Sequence, residues 1–305
     1  MPTVMITGGT GLIGKALTPL LVGKGYQVII LSRSKKSPEN ASVSYAQWDV
    51  EKGTIDKAAV KKADYIIHLA GAGVADKRWT KKRKQEILES RTKSSALLVN
   101  TLKEDAHNVK VVISASAIGW YGPDTDATFD KAFKEDAPAH DDFLGNTCKE
   151  WEESMRLVEG SGIRLVYLRT GIVLSNDGGA LVEFKNPMKF GIAAILSSGK
   201  QMISWIHIED LCRMYIYALE EEISGVFNAV APKPVSNKTL TLQLANAIKG
   251  KACIPIHVPS FVLKIVLGEM SVEVLKSTTV NADKIRSAGF QFLYPSIESA
   301  LNELV

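Results

Sequence analysis

Cysteine is scarce in this chain: three residues, Cys148, Cys212 and Cys253, stand alone and far apart. Their spacing excludes a disulfide framework, a zinc site and a paired redox motif, so no metal is expected and a reducing, cytoplasmic setting fits best. Long apolar runs are also missing, so no segment has the length of a membrane span. The first strand-like run begins at Thr3, which leaves no room for a charged leader and argues against secretion. Net charge is only +4, too little by itself to point to nucleic acid or a membrane surface. No internal repeat or low-complexity tract is visible. With 305 residues and 46% hydrophobic content, the chain can bury a large core as one α/β unit or two lobes.

What is present starts at once. Thr3-Val4-Met5-Ile6 is a short apolar run that empties into Thr7-Gly8-Gly9-Thr10-Gly11-Leu12-Ile13-Gly14, and Ile13, Leu17, Leu20 and Leu21 follow at helical spacing. Glycines at 8, 11 and 14 meet three demands: a sharp strand-to-helix turn, bare backbone where a pyrophosphate approaches, and close helix-on-strand packing. The helix that follows turns unpaired N–H groups and its positive dipole end toward the phosphates. A glycine triplet alone is a weak signal; the strand before it and the helix after it give it weight.

Strand-like runs recur at Gln27 to Leu31, Val43 to Ala46, Tyr65 to Leu69, Val109 to Ser114 and Arg164 to Leu168, separated by helical stretches such as Lys81 to Leu102 and Lys149 to Glu159. This alternation predicts an α/β fold, a Rossmann-type doubly wound parallel sheet, with a smaller and mostly helical C-terminal lobe. The expected division is a cofactor-binding domain over 1–174, with segments near 202–230 returning to it, and a substrate lobe from 175–201 and 231–305. A helix is expected near Leu181 to Phe190, with Gly178-Gly179 and Phe184 to Phe190 walling the pocket, another at Asp210 to Glu221, and an extended segment from Pro255 to Pro259.

Ligands in such sheets sit at the carboxyl ends of the strands, so the residues after each run form one rim. Ser32-Arg33 ends the second strand, where selectivity for NAD would place a carboxylate. An arginine fork with a hydroxyl donor answers a 2′-phosphate instead, pointing to NADP(H), against the alternative that Arg33 and Lys35-Lys36 are a solvated loop. Asp49 either accepts from the adenine amino group or is a turn residue. Leu69-Ala70-Gly71 closes a buried strand in small residues that let a ribose and nicotinamide pass close by, Ser114 lies on the same rim, and His68 reads as a packed core histidine.

Taken in this order, the glycine loop, Ser32-Arg33, Asp49-Val50 and His68-Leu69-Ala70-Gly71 resemble the extended short-chain dehydrogenase/reductase superfamily. Such enzymes carry a serine after the fifth strand and a Tyr-x-x-x-Lys pair on the next helix, the tyrosine acting as acid and base. Ser116 matches the serine. Aligned on Trp151-Glu152, Leu144 stands at the tyrosine position and Cys148 at the lysine position, while Lys149 is one residue, or about 100° of helix, out of register. Arg91 takes the place of the superfamily's helix-four asparagine. Together with Trp205-Ile206-His207-Ile208 and the stretch from Ile254 to Leu301, these departures are similar to one atypical branch, the SDR39U1-like epimerase family. That resemblance implies NADP contacts at Ser32, Arg33, Leu69, Ala70, Glu86, Arg91 and Ile172, and helices 81–102 and 149–159 as a pairing surface, leaving a homodimer open.

With the tyrosine gone, Tyr121 on the Ser116 loop and Asp142 just before Leu144 are the remaining candidates for proton transfer, each with a structural alternative. Arg91 reads as a fixed cation near the cofactor, with Glu86 five positions earlier on the same helix holding either it or the ribose, against the alternative of a structural salt bridge. Cys148 is either a reactive thiol or an inert buried one. The basic run Lys77 to Lys84 reads as a solvated helix start with Trp79 packed inward, or as a clamp for a phosphorylated substrate, rather than a nucleic-acid surface. Asp210 reads as a helix cap, and His207 faces either core or cleft. Two functions follow: an NADP(H)-dependent oxidoreductase or epimerase-like enzyme acting on an unidentified small molecule, with Ser116 polarising a carbonyl, or a non-catalytic NADP(H)-sensing protein. Either requires that NADP(H) bind more tightly than NAD(H) by calorimetry and that Arg33→Asp abolish the difference; equal affinities, or no loss in the variant, would refute it.

Overall fold

The computed structural model describes residues 1–34, 37, 40–125, 131–248 and 253–305. Its strands are, in chain order, β1 (Thr3–Thr7), β2 (Gln27–Ser32), β3 (Val43–Asp49), β4 (Thr54–Ile55), β5 (Tyr65–His68), β6 (Val111–Ala117), β7 (Arg164–Thr170), β8 (Ile172–Ser175), β9 (Gly178–Gly179), β10 (Ile192–Leu196), β11 (Met202–Ile203), β12 (Trp205–His207), β13 (Gly225–Ala229), β14 (Val235–Ser236) and β15 (Ile254–Val258). The main sheet runs β13-β7-β6-β5-β1-β2-β3-β4, with β4 antiparallel to β3 and the other pairs parallel.

Near-continuous apolar strands follow from covering the sheet on both faces. Val4 and Ile6 of β1 enter one core with Leu17 and Leu21 of helix Leu12–Gly23 and Met214 of helix Ile208–Glu220. Met5 between them enters the other, with Leu98 and Leu102 of helix Lys81–Glu104 and Met155 of helix Phe143–Arg156. The period of two along the strand therefore makes the sheet doubly wound. A third core forms the C-terminal lobe, where Trp205, Leu174 and Leu181 meet Leu240, Leu244, Ile297 and Leu301. The segment expected at Pro255 to Pro259 is β15, parallel to β10. Trp205–His207 pairs with β8 outside the main sheet, whereas Gly225–Ala229 adds its outermost strand beside β7.

Asp210 lies inside helix Ile208–Glu220 and does not cap it. His207 does: its Nδ1 accepts from Glu209 N at 3.1 Å, so Nε2 carries the hydrogen and donates to Glu303 at 2.8 Å. The buried Asp210 carboxylate instead accepts from Leu293 N (2.8 Å) and Tyr294 N (2.9 Å), anchoring the C-terminal segment to that helix.

Strand order reverses at β1, which pairs with β2 on one side and β5 on the other. Thr7 and His68 face each other in register at the carboxyl ends. The Thr7 Oγ1 accepts from Leu69 N (3.1 Å) and Ala70 N (3.2 Å), so its own hydrogen goes to His68 Nδ1 at 2.8 Å, leaving Nε2–H to donate to Ser95 Oγ at 3.2 Å. His68 is thus a packed core histidine, fully buried, and burial pushes its pKa down to about 4 from 6.5. The unfolded chain binds this proton first, so the His68 contribution is intact above pH 6.5 and is lost as pH falls toward 4. Urea titrations should show an acid-side stability loss on the order of 3 kcal/mol that His68→Asn removes; an unchanged slope in the variant would refute the assignment.

Candidate cofactor cleft

The glycine turn fills the switch point. Gly8 has φ +67°, and a Cβ there would lie 2.8 Å from the Leu69 carbonyl carbon, so the turn touches the end of β5 backbone to backbone. A Cβ on Gly14 would lie 2.4 Å from Gly9 Cα, which locks the first helical turn against the loop. Gly11 is the N-cap of helix Leu12–Gly23, and neither a side-chain cap nor a first-turn carboxylate occupies that end. By contrast, Asp56, Thr80, Asp142, His207, Ser236 and Ser296 all cap their helices. An uncapped N-terminus beside bare glycine backbone and the exposed Thr10 fits a pyrophosphate. Leu12 packs beneath Gly178-Gly179, and Ile13 packs against the first core.

At the end of β2, Ser32 is buried and Arg33 is exposed, its backbone carbonyl accepting from Gln47 Nε2 at 3.4 Å. Lys35 and Lys36 lie outside the described residues. Asp49 is a turn residue: Oδ1 accepts from Glu51 N and Lys52 N, both 3.1 Å, and Oδ2 pairs with Lys52 at 3.2 Å. These Lys52 hydrogen bonds hold its pKa below the usual carboxylate value.

Beyond β5, Arg91 rises from helix Lys81–Glu104 under Gly71, whose added Cβ would come within 3.1 Å of the guanidinium carbon. Arg91 is 9% exposed; Nη1 donates to Ile87 O (2.8 Å) and Ala72 O (3.0 Å), and the guanidinium lies 4.8 Å from the Trp151 ring centre. Glu86 does not hold it. That carboxylate pairs with Arg83 Nη1 at 2.8 Å, which lowers its pKa. Ile172 is partly exposed at the start of β8. Ser114 is fully buried and donates to Ala115 O at 3.1 Å, so its side chain does not reach the cleft.

The reaction end differs most from expectation. Ser116 is buried, and its single hydroxyl hydrogen goes to Glu152 Oε1 at 2.6 Å. Arg169, opposite Ser116 on β7, binds the same carboxylate in two places, Nε to Oε1 (2.8 Å) and Nη2 to Oε2 (2.9 Å). The Trp120 ring lies 3.6 Å beneath the guanidinium. Burial works against the Arg169 charge, yet the Glu152 bonds leave its pKa raised. Ser116 therefore lacks a free hydrogen with which to polarise a carbonyl; its lone pairs accept. Tyr121 is not a proton donor either. It is fully buried, stacks on Phe133, accepts from Arg169 Nη1 (3.0 Å) and donates to Asn228 Oδ1 (2.7 Å), and burial pushes its pKa up to about 12. Asp142 spends Oδ1 capping its helix at Gly145 N, 2.7 Å away. Leu144 and Cys148 pack on Gly119, where an added Cβ would meet them at 3.2 and 3.7 Å. Burial raises the Cys148 thiol to about 12, so it is inert at neutral pH.

The basic run is divided: Lys77, Lys81 and Lys82 are exposed, and its other cations are turned to partners within the chain. Thr80 caps helix Lys81–Glu104, Trp79 packs edge-on to Phe143, Arg78 donates to Ile265 O at 2.7 Å and Lys84 pairs with Glu269. Phe184 packs into the lobe core, but Phe190 is 83% exposed and walls nothing. Sequence reasoning missed Glu152 and Arg169 as a pair and His140, whose Nδ1 lies 3.0 Å from Asp142 Oδ2.

Residues 4–143 match the NAD dependent epimerase/dehydratase family, and 258–304 match a domain of unknown function, DUF1731. The epimerase family protein YfhF of Bacillus subtilis is 36% identical over 304 residues, covering 99% of this chain and 97% of its own. The human epimerase family protein SDR39U1, solved with NADPH, is 30% identical with a TM-score of 0.86 over 99% of this chain and 98% of its own. A UDP-glucuronic acid 4-epimerase from Bacillus cereus, 20% identical with a TM-score of 0.79 over 99% of this chain and 97% of its own, shares the fold.

The buried pair generates a stability prediction. Glu152→Ala strands the Arg169 charge and should cost about 3–5 kcal/mol by urea denaturation, whereas replacing both residues, Glu152→Leu with Arg169→Met, should recover most of it. Equal losses in the single and double variants would refute the pairing.

Proposed function

The chain belongs to the epimerase family, with a DUF1731 C-terminal domain, and we propose that it binds NADP(H) and serves a small-molecule substrate as an oxidoreductase or nucleotide-sugar epimerase-like enzyme. The observation that carries this reading is the uncapped helix Leu12–Gly23 set behind Gly8, Gly11 and Gly14 at the reversal of strand order. Thr10, Leu12 and Ile13 line that turn. Ser32 and Arg33 would hold the 2′-phosphate; Leu69, Ala70 and Gly71 would flank the ribose; Arg91 and Ile172 would meet the nicotinamide half. A bound nicotinamide dinucleotide supplies hydride exchange. The protein's own residues place the ligand, exclude water and manage the proton. The human relative solved with NADPH supports the choice of cofactor.

A second reading, an NADP(H) sensor without turnover, is favoured by one observation: Ser116, Tyr121 and Cys148 are all committed to internal contacts or buried. The two readings share the cofactor site. NADPH should raise the thermal midpoint by several degrees, and Gly11→Val, which puts a side chain at the open helix N-terminus where an added Cβ would meet Gly8 O at 3.2 Å, should abolish the shift while the apo protein stays folded by circular dichroism. Absence of an NADPH shift in the wild type would refute both readings; a shift without oxidation of NADPH by any carbonyl or quinone, and without turnover of sugar nucleotides, would favour the sensor.

A further inference from the structure

We propose that His140, oriented by Asp142, is the acid/base group of this site, standing in for the absent tyrosine; the inference rests on the cofactor reading above. The ring belongs to the segment leading into helix Phe143–Arg156, the helix that carries the vacant position at Leu144. It lies against the loop of Ser116: a Cβ on Gly122 would fall 2.4 Å from its Cδ2, and its backbone N–H donates to Trp120 O at 2.8 Å. Bare glycine at 122 is thus what lets the imidazole seat there.

Its Nδ1 is 3.0 Å from Asp142 Oδ2. An ionised carboxylate only accepts, so Nδ1 carries the hydrogen, and the neutral ring presents a lone pair at Nε2. Among the described residues Nε2 has no hydrogen-bond partner, and the side chain is 43% exposed. The Asp142 carboxylate is fixed from three sides, by Gly145 N at Oδ1 and by His140 and the buried Lys276, 4.0 Å away, at Oδ2. Lys276 also pairs with Glu273 at 2.8 Å and donates to Tyr121 O at 3.3 Å. The neighbouring Asp141 is turned to Asn146 Nδ2 at 3.1 Å. Ser116, Tyr121, Cys148 and His68 have no free proton or lie fully within the core, which leaves His140 as the titratable group beside the Ser116 loop with an open ring nitrogen. When a ligand hydroxyl is oxidised, the hydrogen on its carbon would leave with its electron pair to an oxidised nicotinamide dinucleotide, while the O–H bond breaks and the proton forms an N–H bond at Nε2; in reduction the hydride returns to the ligand carbon and the same proton to its oxygen.

The test uses the full-length protein with two readouts. Nitrogen-15 spectra of the imidazoles, with the His140 signal identified by its loss in His140→Gln, should show the Nδ1–H form when neutral. Asp142→Asn should shift it toward Nε2–H while the helix keeps its cap, because the amide oxygen still accepts from Gly145 N. Oxidation of NADPH with phenanthrenequinone and a set of aldehydes should fall about 100-fold or more in kcat in both variants with NADPH affinity unchanged. An Nε2–H ring in the wild type, full turnover in His140→Gln, or NADPH binding with no turnover of any probe overturns the proposal alone; no NADPH binding overturns the cofactor reading with it.

Discussion

One hydroxyl, that of Thr7, fixes the geometry on which the cleft depends. A threonine oxygen has two acceptor sites and one hydrogen, and here all three are used: two N–H groups of the chain leaving β5, and Nδ1 of His68. The ends of β1 and β5 are therefore held to each other by side-chain bonds as well as by the sheet ladder. Gly8 approaches the Leu69 carbonyl at a distance no side chain tolerates only because that carbonyl is held still. Ala70 and Gly71 follow directly, and Gly71 in turn is what Arg91 rests against. The position of the cation under the cleft traces back to the switch point through three consecutive residues.

Around helix Phe143–Arg156 the charge has been redistributed. The superfamily resemblance would put a lysine at 148; this chain puts a neutral, buried thiol there and brings guanidinium groups in from two other elements, Arg91 from helix Lys81–Glu104 and Arg169 from β7. Arg169 is neutralised by Glu152, whose carboxylate also takes the Ser116 hydrogen. Arg91 has no carboxylate partner among the described residues, and burial lowers its pKa, an effect that the neighbouring Cys148 only partly offsets. An arginine in that position keeps its charge and could donate to an anionic or ribose oxygen, but it moves no proton. On the proposed reading, binding and proton transfer are divided between different side chains, where a Tyr-Lys pair would couple them.

The glycine turn and the doubly wound sheet were legible in the sequence because their demands act directly on residue type: no Cβ fits at Gly8 or Gly14, and Val4, Met5 and Ile6 must be apolar on both faces. That the second strand ends at Ser32 was legible for the same reason. The pairing of Ser116, Glu152 and Arg169 was not, since it depends on β6 and β7 lying in register and on a helix crossing above them. Tyr121 and Asp142 were read as chemical candidates because a polar residue beside Ser116 looks the same in sequence whether it turns to the core or to the cleft. His140 gave no signal of its own; its position becomes meaningful only once Gly122 and Asp142 are seen on either side of the ring.

The C-terminal lobe explains what the basic run is for. Arg78 and Lys84 reach across to residues 265 and 269, Asp124 accepts from Ser277 Oγ (2.7 Å) and Thr279 N (2.7 Å), and Asp210 holds residues 293 and 294. These contacts start from separate stretches of the sheet domain and end within one stretch of the C-terminal domain. Of the basic run, Arg78, Arg83 and Lys84 are turned to carbonyl and carboxylate partners within the chain, while Lys77, Lys81 and Lys82 are exposed. Lys276 belongs to the same set: buried between Glu273, Asp142 and the Tyr121 carbonyl, it makes the lobe part of the wall beside His140. The reaction end is therefore assembled from both halves of the chain, and its geometry is only as rigid as the contacts that hold the C-terminal domain in place.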